Sequence, residues 1–178
     1  MLGASIAAVT PAAISIRADE APPASITGVN REQATELLDA TLPILARTSM
    51  ALLGDARASK QILETLAERA GTELGKASDA DEGRVALFSA LRKLCAEHQT
   101  LTGPLRRDEA PETARMGKAA DARQRLERLR PTERDALVLK LVARLDVDDI
   151  AKVCGVDEAT ARDRLTKALA ATSGEGER

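Results

Sequence analysis

The feature that most constrains the fold of this chain is the pair Gly155-Val156, which separates two short stretches of helix-forming residues. A glycine readily adopts the left-handed conformation that ends a helix, and the apolar residue after it can fill the space between two crossing helices. Asp146 precedes the first stretch and Asp157 precedes the second, and aspartate is a favoured helix N-cap. The spacing therefore predicts a helix-turn-helix over residues 146–169.

In a helix-turn-helix that binds DNA, the second helix is the one that enters the groove. Its outward cations at helical spacing are Arg162, Arg164 and Lys167. Ordinary surface ion pairs are an alternative role for these cations, because Glu158 and Asp163 stand at helical spacing from them. The local pattern also occurs at the corner of a helical bundle that binds nothing. The flanking sequence is therefore needed to distinguish a DNA-binding helix-turn-helix from such a corner.

The upstream segment, residues 126–145, predicts a further helix that begins at Pro131 and carries a broad apolar side. With the helix-turn-helix it resembles region four of bacterial sigma factors, in particular the extracytoplasmic-function type. The resemblance rests on Leu129 through Arg134, Asp149-Ile150-Ala151, Gly155-Val156, and Thr160 through Leu165, which keep the family's spacing without gaps. It implies that promoter DNA is contacted by Thr160, Arg162, Arg164 and Lys167.

The composition favours an all-α fold, because Ala, Leu, Arg and Glu are abundant and Phe88 is the single aromatic residue. A chain of 178 residues fits two helical lobes joined by a linker. The expected organisation is a flexible segment over residues 1–29, a helical lobe over 30–100, a linker over 101–120, the helix-turn-helix lobe over 121–171 and a tail over 172–178. The second lobe is expected to share one core among Leu137, Leu141, Ile150, Val156 and Leu165.

The first lobe is expected to contain helices that begin near Asn30, bend or restart at Pro43, and resume from Asp55 to Gly71. A polar loop is expected over residues 72–83, before helical spacing resumes at Val85. This order of helices resembles region two of the same sigma family. The resemblance implies a helix over residues 58–66 that docks on core RNA polymerase, with contacts from Ala58, Lys60, Ile62 and Glu64.

The same resemblance implies that residues 87–96 form the helix that melts and reads promoter DNA, and here the sequence departs from the family. The docking helix has Ala58-Ser59-Lys60 and Leu63-Glu64 where the family has Ala-Glu-Asp and Gln-Glu. The melting helix has Leu87-Phe88 and Lys93-Leu94 where the family has Trp-Leu and Arg-Asn. Holding an unpaired base commonly uses aromatic stacking, so a segment with one phenylalanine has little capacity for melting.

The charge balance is unusual for a DNA-binding protein, because the formal net charge is −2. Residues 121–171 carry eleven Lys and Arg against ten Asp and Glu. Phosphate contacts normally need a basic face, so this balance weakens DNA binding by the chain alone. A sigma factor tolerates it, since the polymerase shares the task of holding the promoter.

No enzyme chemistry, cofactor or metal is expected, because the chain has one histidine, no phosphate-cradling glycine loop and no H-E-x-x-H. Cys95 and His98 form C-x-x-H but lack two further ligands at metal-like spacing, and Cys95 and Cys154 are expected to be free thiols. No apolar run is long enough to span a bilayer, and residues 1–16 lack the basic start of a secretory signal. A cytoplasmic location is therefore expected.

Two hypotheses follow from the sequence. The first is a sigma factor that binds core RNA polymerase and recognises promoter DNA through its C-terminal helix-turn-helix. The second is a sigma-derived interaction module or regulator that has lost promoter melting and binds a protein instead. Both leave open an anti-sigma or other regulatory protein as a further partner.

Overall fold

In the computed structural model the chain is described over residues 31–102 and 124–173, and every regular element in those ranges is a helix. The all-α prediction and the C-terminal helix-turn-helix are confirmed. The expected cap Asn30, nearly all of the expected linker and the segments 1–29 and 174–178 lie outside the described residues. The helices are α1 (Arg31–Leu53), α2 (Ala56–Leu74), α3 (Ala80–Thr102), α4 (described over residues 124–128), α5 (Pro131–Leu141), α6 (Val147–Cys154) and α7 (Glu158–Ser173).

Helix α1 runs without interruption through Pro43, so the chain does not restart there. A proline inside a helix leaves the carbonyl four residues earlier, that of Asp39, without its usual donor. Pro43 and Asp39 both lie on the exposed side of α1, where water can supply the missing hydrogen bond. The opposite side of α1 is held by packing, with Leu45 and Thr48 completely buried.

The turn between α2 and α3 is shorter than the polar sequence of residues 72–83 suggests. Helix α2 continues past Gly71 to Leu74, and α3 already begins at Ala80. Local caps explain the early start: the Asp79 carboxylate accepts from the Glu82 N–H at 2.8 Å, and the Glu82 carboxylate accepts from the Ser78 N–H at 2.7 Å. These short polar residues stabilise the first turn of a helix and do not form an extended loop.

Helices α1, α2 and α3 pack against one another around Phe88, which is completely buried. Leu45, Leu66 and Leu91 surround the same interior. Each such side chain stabilises the fold by roughly 1.5–3 kcal/mol. At the start of α3, Gly83 lies against Leu37 and Leu74 so closely that a Cβ would come within 2.8 Å and 3.1 Å of their side chains, so a side chain here would force its neighbours to move.

In the second lobe, α5 is buried on two sides. Leu137 packs with Leu129 and Ala168, whereas Ile150 and Leu165 belong to the larger core. The prediction of one core shared by these residues is therefore wrong for Leu137, which lies in the smaller cluster, and for Leu141, which is 62% exposed. Leu141 lies one turn beyond Leu137 on the same face of α5, where the small cluster of Leu129, Leu137 and Ala168 no longer covers it.

The main core is continuous between the lobes, because α3 packs on α6 and α1 packs on α5. Buried side chains from both lobes, such as Leu94 and Val153, belong to one cluster. The two lobes therefore meet over a shared face in this structure. None of the described helices is both long and apolar enough to cross a membrane.

Candidate nucleic-acid interface

The turn between α6 and α7 has the geometry that its sequence predicts. Gly155 adopts φ 66° and ψ 40°, and its N–H donates to the carbonyls of Ala151 and Lys152. The Val156 N–H donates to the Ala151 carbonyl at 3.0 Å. These bonds satisfy the last carbonyls of α6 and turn the chain toward α7, and half-buried Val156 packs against the core between the two helices.

Helix α7 is capped by Asp157, whose Oδ1 accepts from the Thr160 N–H and whose Oδ2 accepts from the Thr160 hydroxyl, each at 2.8 Å. These two hydrogen bonds hold the pKa of Asp157 below its usual value. Thr160, a predicted DNA contact, is thus engaged within the first turn of α7. Its hydroxyl orients the cap and can reach a phosphate only by giving up that bond.

The predicted DNA contacts Arg162 and Lys167 lie on the exposed side of α7, each paired with an acid one turn earlier. Arg162 is bonded to Glu158, and Lys167 Nζ lies 2.6 Å from Asp163 Oδ2. All four side chains are more than half exposed. Exposed pairs of this kind stabilise a helix by only about 0.3–0.5 kcal/mol, so the cations can exchange partners at little cost.

Arg164, the third predicted cation, is half-buried and points elsewhere. The charge of its guanidinium acts on the Cys154 thiol and on the Asp135 carboxylate, which places Arg164 on the side of α7 that faces α5 and α6. Burial raises the pKa of the Cys154 thiol, and the charges of Arg92 and Arg164 oppose that rise. The structure therefore separates Arg164 from Arg162 and Lys167, with which the sequence grouped it.

The predicted polymerase-binding residues of α2 also divide into two sets. Ala58 and Ile62 are buried in the first lobe's core, so α2 cannot present them to a partner. Lys60 and Glu64 are exposed, at 80% and 62%, and their charged groups lie 3.9 Å apart. Ser59, which replaces a charged residue of the family's docking helix, is buried and bonded to Ser49 of α1. The reachable surface of this stretch is therefore the Lys60–Glu64 side.

Sequence reasoning missed the polar residues at the contact between the lobes. Arg92 Nε donates to Asp135 Oδ2 at 3.0 Å, and Arg134 Nη2 donates to Gln99 Oε1 at 3.1 Å. A cleft of 570 Å³ beside them is lined by all four of these residues. The available signal is weak, because Arg92 and Lys93 are the charged residues in the mainly apolar segment from Leu87 to Cys95, and no nearby residue indicates the partner of Arg92.

The comparison with protein families decides the nature of the second lobe. Residues 120–171 match the family described as Sigma-70, region 4. The C-terminal lobe is thus similar over its whole length to region 4 of sigma-70 proteins. This match confirms the predicted resemblance to region four of sigma factors over the second lobe. The region 4 match covers the second lobe alone, and no curated protein matches the sequence.

Solved structures extend the likeness to both lobes. The NMR structure of the PhyRSL–NepR complex from Sphingomonas sp. Fr1 is similar at a TM-score of 0.62 and 24% identity, over 78% of this chain and 85% of that one. The sigma factor RpoE in complex with the anti-sigma factor NepR, from Bartonella quintana, is similar at 0.60 and 20%, over 81% of this chain and 98% of that one. At these identities the matches show a shared fold.

In the C-terminal lobe α6 and α7 form the helix-turn-helix, and α5 packs against both of them. The exposed side of α7 offers Arg162 and Lys167, and it also carries Asp163. The described residues contain no cluster of three or more His, Cys, Asp or Glu side chains suited to a metal ion. The lobe can therefore contact a partner through the charged and hydrogen-bonding side chains on the exposed surface of α7.

Proposed function

We propose that this chain is a sigma-like transcription initiation protein that binds core RNA polymerase and recognises promoter DNA through α7. The observation that carries the proposal is the region 4 match over a helix-turn-helix whose second helix exposes two cations. Such a protein works in the cytoplasm beside the polymerase and catalyses no reaction itself. The shared two-lobe fold of a sigma factor supports the same reading.

In this proposal Arg162 is a base contact and Lys167 is a phosphate contact. An arginine can donate two parallel hydrogen bonds to a guanine, and a lysine acts as a point charge near the backbone. Both residues would exchange an exposed intrahelical acid for the DNA, and such pairs hold them weakly. Asp163 opposes binding, because its carboxylate shares the exposed side of α7 with both cations.

The DNA test measures the affinity of the full chain for duplex DNA at several salt concentrations, with and without core polymerase. Arg162→Ala should cost roughly 1–3 kcal/mol and relax the preference at one base pair. Lys167→Ala should weaken binding to all sequences and lower the slope of log affinity against log salt by about one. Asp163→Ser should tighten binding. If none of these changes alters any measurable affinity, promoter recognition by α7 is rejected.

For polymerase binding we propose that α2 uses the side formed by Lys60 and Glu64. These side chains are exposed and weakly paired, so a partner can engage them without unfolding the lobe. Glu64→Lys should reduce co-purification with core RNA polymerase. Glu36→Lys, the same change at an exposed position of α1, is the matched control and should leave recovery unchanged. Equal recovery of all three proteins, or of none, contradicts this role for α2.

A second candidate is a sigma-derived regulator that binds a protein and does not melt promoters. Two observations favour it. Phe88, the single aromatic residue of the chain, is completely buried and cannot stack on an unpaired base. The two solved structures named above are both complexes with NepR, which one of them describes as an anti-sigma factor, so an anti-sigma protein is the partner class we propose for this candidate. Capture of a NepR-type protein without any recovery of polymerase would favour it over the first.

A further inference from the structure

The cleft beside α3 and the start of α5 has the size of a small-molecule pocket. Its volume is 570 Å³, and such pockets usually measure about 300–1,000 Å³. Its lining combines two kinds of side chain. The guanidinium groups of Arg92 and Arg134 are charged, whereas Leu52, Ala96 and Pro131 are apolar. A small molecule with one charged end and one apolar end fits a lining of this kind.

Arg134 carries a hydrogen-bond donor that the described residues leave unused. Its Nη2 donates to Gln99 Oε1 at 3.1 Å. Its Nε is buried and has no hydrogen-bond partner in the part of the chain that the structure describes. Buried polar groups are nearly always hydrogen-bonded, and an unpaired donor on a charged group is especially unfavourable. Nε and Nη2 lie on the same edge of the guanidinium and form a fork that matches the two oxygens of a carboxylate.

Gln99 fills only half of this fork. A side-chain amide offers a single oxygen, so Gln99 accepts from Nη2 and leaves Nε without an acceptor. The other end of the amide is held separately, because Gln99 Nε2 donates to the Leu52 carbonyl at 3.0 Å. Both Gln99 and Leu52 line the cleft. A carboxylate that entered from the cleft and replaced the amide oxygen would accept from both donors of Arg134.

The charges that line the cleft favour a ligand with one negative charge. Arg92 is already compensated, because its Nε donates to Asp135 Oδ2 at 3.0 Å. Arg134 is bonded to the neutral amide of Gln99. Glu127 lines the same cleft, and its carboxylate repels a second negative charge on a ligand. A phosphate monoester carries roughly two charges at neutral pH, so a single carboxylate suits this lining better.

The lining also indicates the rest of the ligand. Leu52, Ala96 and Pro131 present carbon atoms to the cleft. The Cys95 thiol beside them is uncharged, because burial raises its pKa to about 12. Removal of apolar surface from water favours binding, so a hydrocarbon chain or ring would be held against this part of the lining.

We propose that the cleft binds a small carboxylic acid, whose carboxylate is held by Nε and Nη2 of Arg134 and whose hydrocarbon part lies on the apolar lining. The carboxylate takes the place of the Gln99 oxygen at Nη2. The Gln99 amide can keep its hydrogen bond to the Leu52 carbonyl. This inference goes beyond the proposed function, because the site lies apart from the exposed side of α7 and does not depend on DNA recognition.

The test titrates the full chain with sodium hexanoate and follows its backbone amides by two-dimensional proton–nitrogen NMR. A probe of this size should bind in the millimolar range, with a Kd of about 1–10 mM. The amide signals of residues 92–100 and 131–135 should shift saturably. Hexanol has the same chain without the carboxylate, and sodium phosphate has charge without the chain. Each of these two probes should bind at least about tenfold more weakly than hexanoate.

Three variants test the fork. Arg134→Met keeps an unbranched side chain and removes both donors, so it should weaken hexanoate binding about tenfold or more. Gln99→Glu places a tethered carboxylate beside the fork and should weaken binding to a similar degree. Arg69→Met removes an exposed arginine of α2 that does not line the cleft, so this matched control should bind as wild type does. Circular dichroism checks that each variant keeps its helices.

Saturable hexanoate binding that is lost in Arg134→Met and Gln99→Glu and kept in Arg69→Met supports the site. If wild type shows no saturation up to roughly 50 mM hexanoate, the site is rejected. Equal binding of hexanol overturns the role of the fork, and phosphate binding as tight as that of hexanoate overturns the choice of a carboxylic acid. Should Arg134→Met lose helix content, the comparison of Gln99→Glu with Arg69→Met decides, and equal affinities of those two variants overturn the proposal.

Discussion

Replacement of Gly155 by alanine tests the turn of the helix-turn-helix. Gly155 has φ 66°, a conformation that costs an L-residue roughly 1–2 kcal/mol. A Cβ built there meets nothing within 4 Å, so this backbone cost is the whole expected effect. Gly155→Ala should therefore lower the free energy of unfolding by roughly 1–2 kcal/mol.

Gly71→Ala is the matched control, because Gly71 lies within α2 and a Cβ there also meets nothing within 4 Å. Alanine is favoured over glycine inside a helix by about 0.8–1.0 kcal/mol, so this variant should be more stable than wild type. Urea unfolding is best followed by circular dichroism, since the chain has no tryptophan or tyrosine. If both variants change the free energy of unfolding by the same amount in the same direction, the assignment of Gly155 to a left-handed turn is refuted.

Three further predictions concern stability and reactivity. Burial raises the pKa of Asp135 above its unfolded-state value of about 3.9. The contribution of this carboxyl to the free energy of unfolding is therefore greatest below that pH, and it is lost as the pH rises through the folded-state pKa. In urea titrations from about pH 4 to pH 7, the free energy of unfolding of Asp135→Asn should therefore rise with pH relative to that of wild type. A difference between the two proteins that stays constant with pH contradicts this. Leu137→Ala should cost roughly 2–5 kcal/mol and Leu141→Ala less than about 0.5, and similar losses by calorimetry would refute their assigned burial. Burial raises the pKa of Cys95 to about 12, so mass spectrometry should find it alkylated at neutral pH far more slowly in the native chain than in urea, and equal rates contradict the buried site.

The helix-turn-helix could be predicted from sequence because its signals are local. Gly155 ends α6 and Asp157 caps α7 through bonds to residues three or four positions away. The prediction that Asp146 caps α6 is only partly confirmed. Asp146 occupies the N-cap position, but its side chain makes no cap hydrogen bond. Its carboxylate lies instead 3.8 Å from Lys140 Nζ, a partner from the preceding helix.

The roles of Arg164 and Leu141 could not be predicted in the same way. Helical spacing predicts the face of the helix on which each residue lies. It does not predict what packs against that face, because the neighbouring residues come from chain segments far away in sequence. The charge of Arg164 acts on Asp135 and Cys154, and Leu141 lies past the cluster that covers Leu137. Neighbours of this kind depend on how the helices of the second lobe pack together, which no local pattern in the sequence specifies.

The start of α3 was missed for a different reason. Residues 72–83 are small and polar, a composition that predicts a loop. Ser78, Asp79 and Glu82 are instead spaced as a helix N-terminus, with the carboxylates of Asp79 and Glu82 accepting from backbone N–H groups. A search for capping spacing would have found this start from the sequence.

The central claim is tested most directly by sequencing the 5′ ends of transcripts made in vitro by bacterial core RNA polymerase on genomic DNA, with and without this protein. The proposed sigma-like function predicts new transcripts that begin at defined positions behind a shared upstream sequence, and predicts that Arg162→Ala alters the preference at one base pair of that sequence. A set of 5′ ends that is the same with and without the protein, under conditions where the protein binds the polymerase, would contradict promoter recognition.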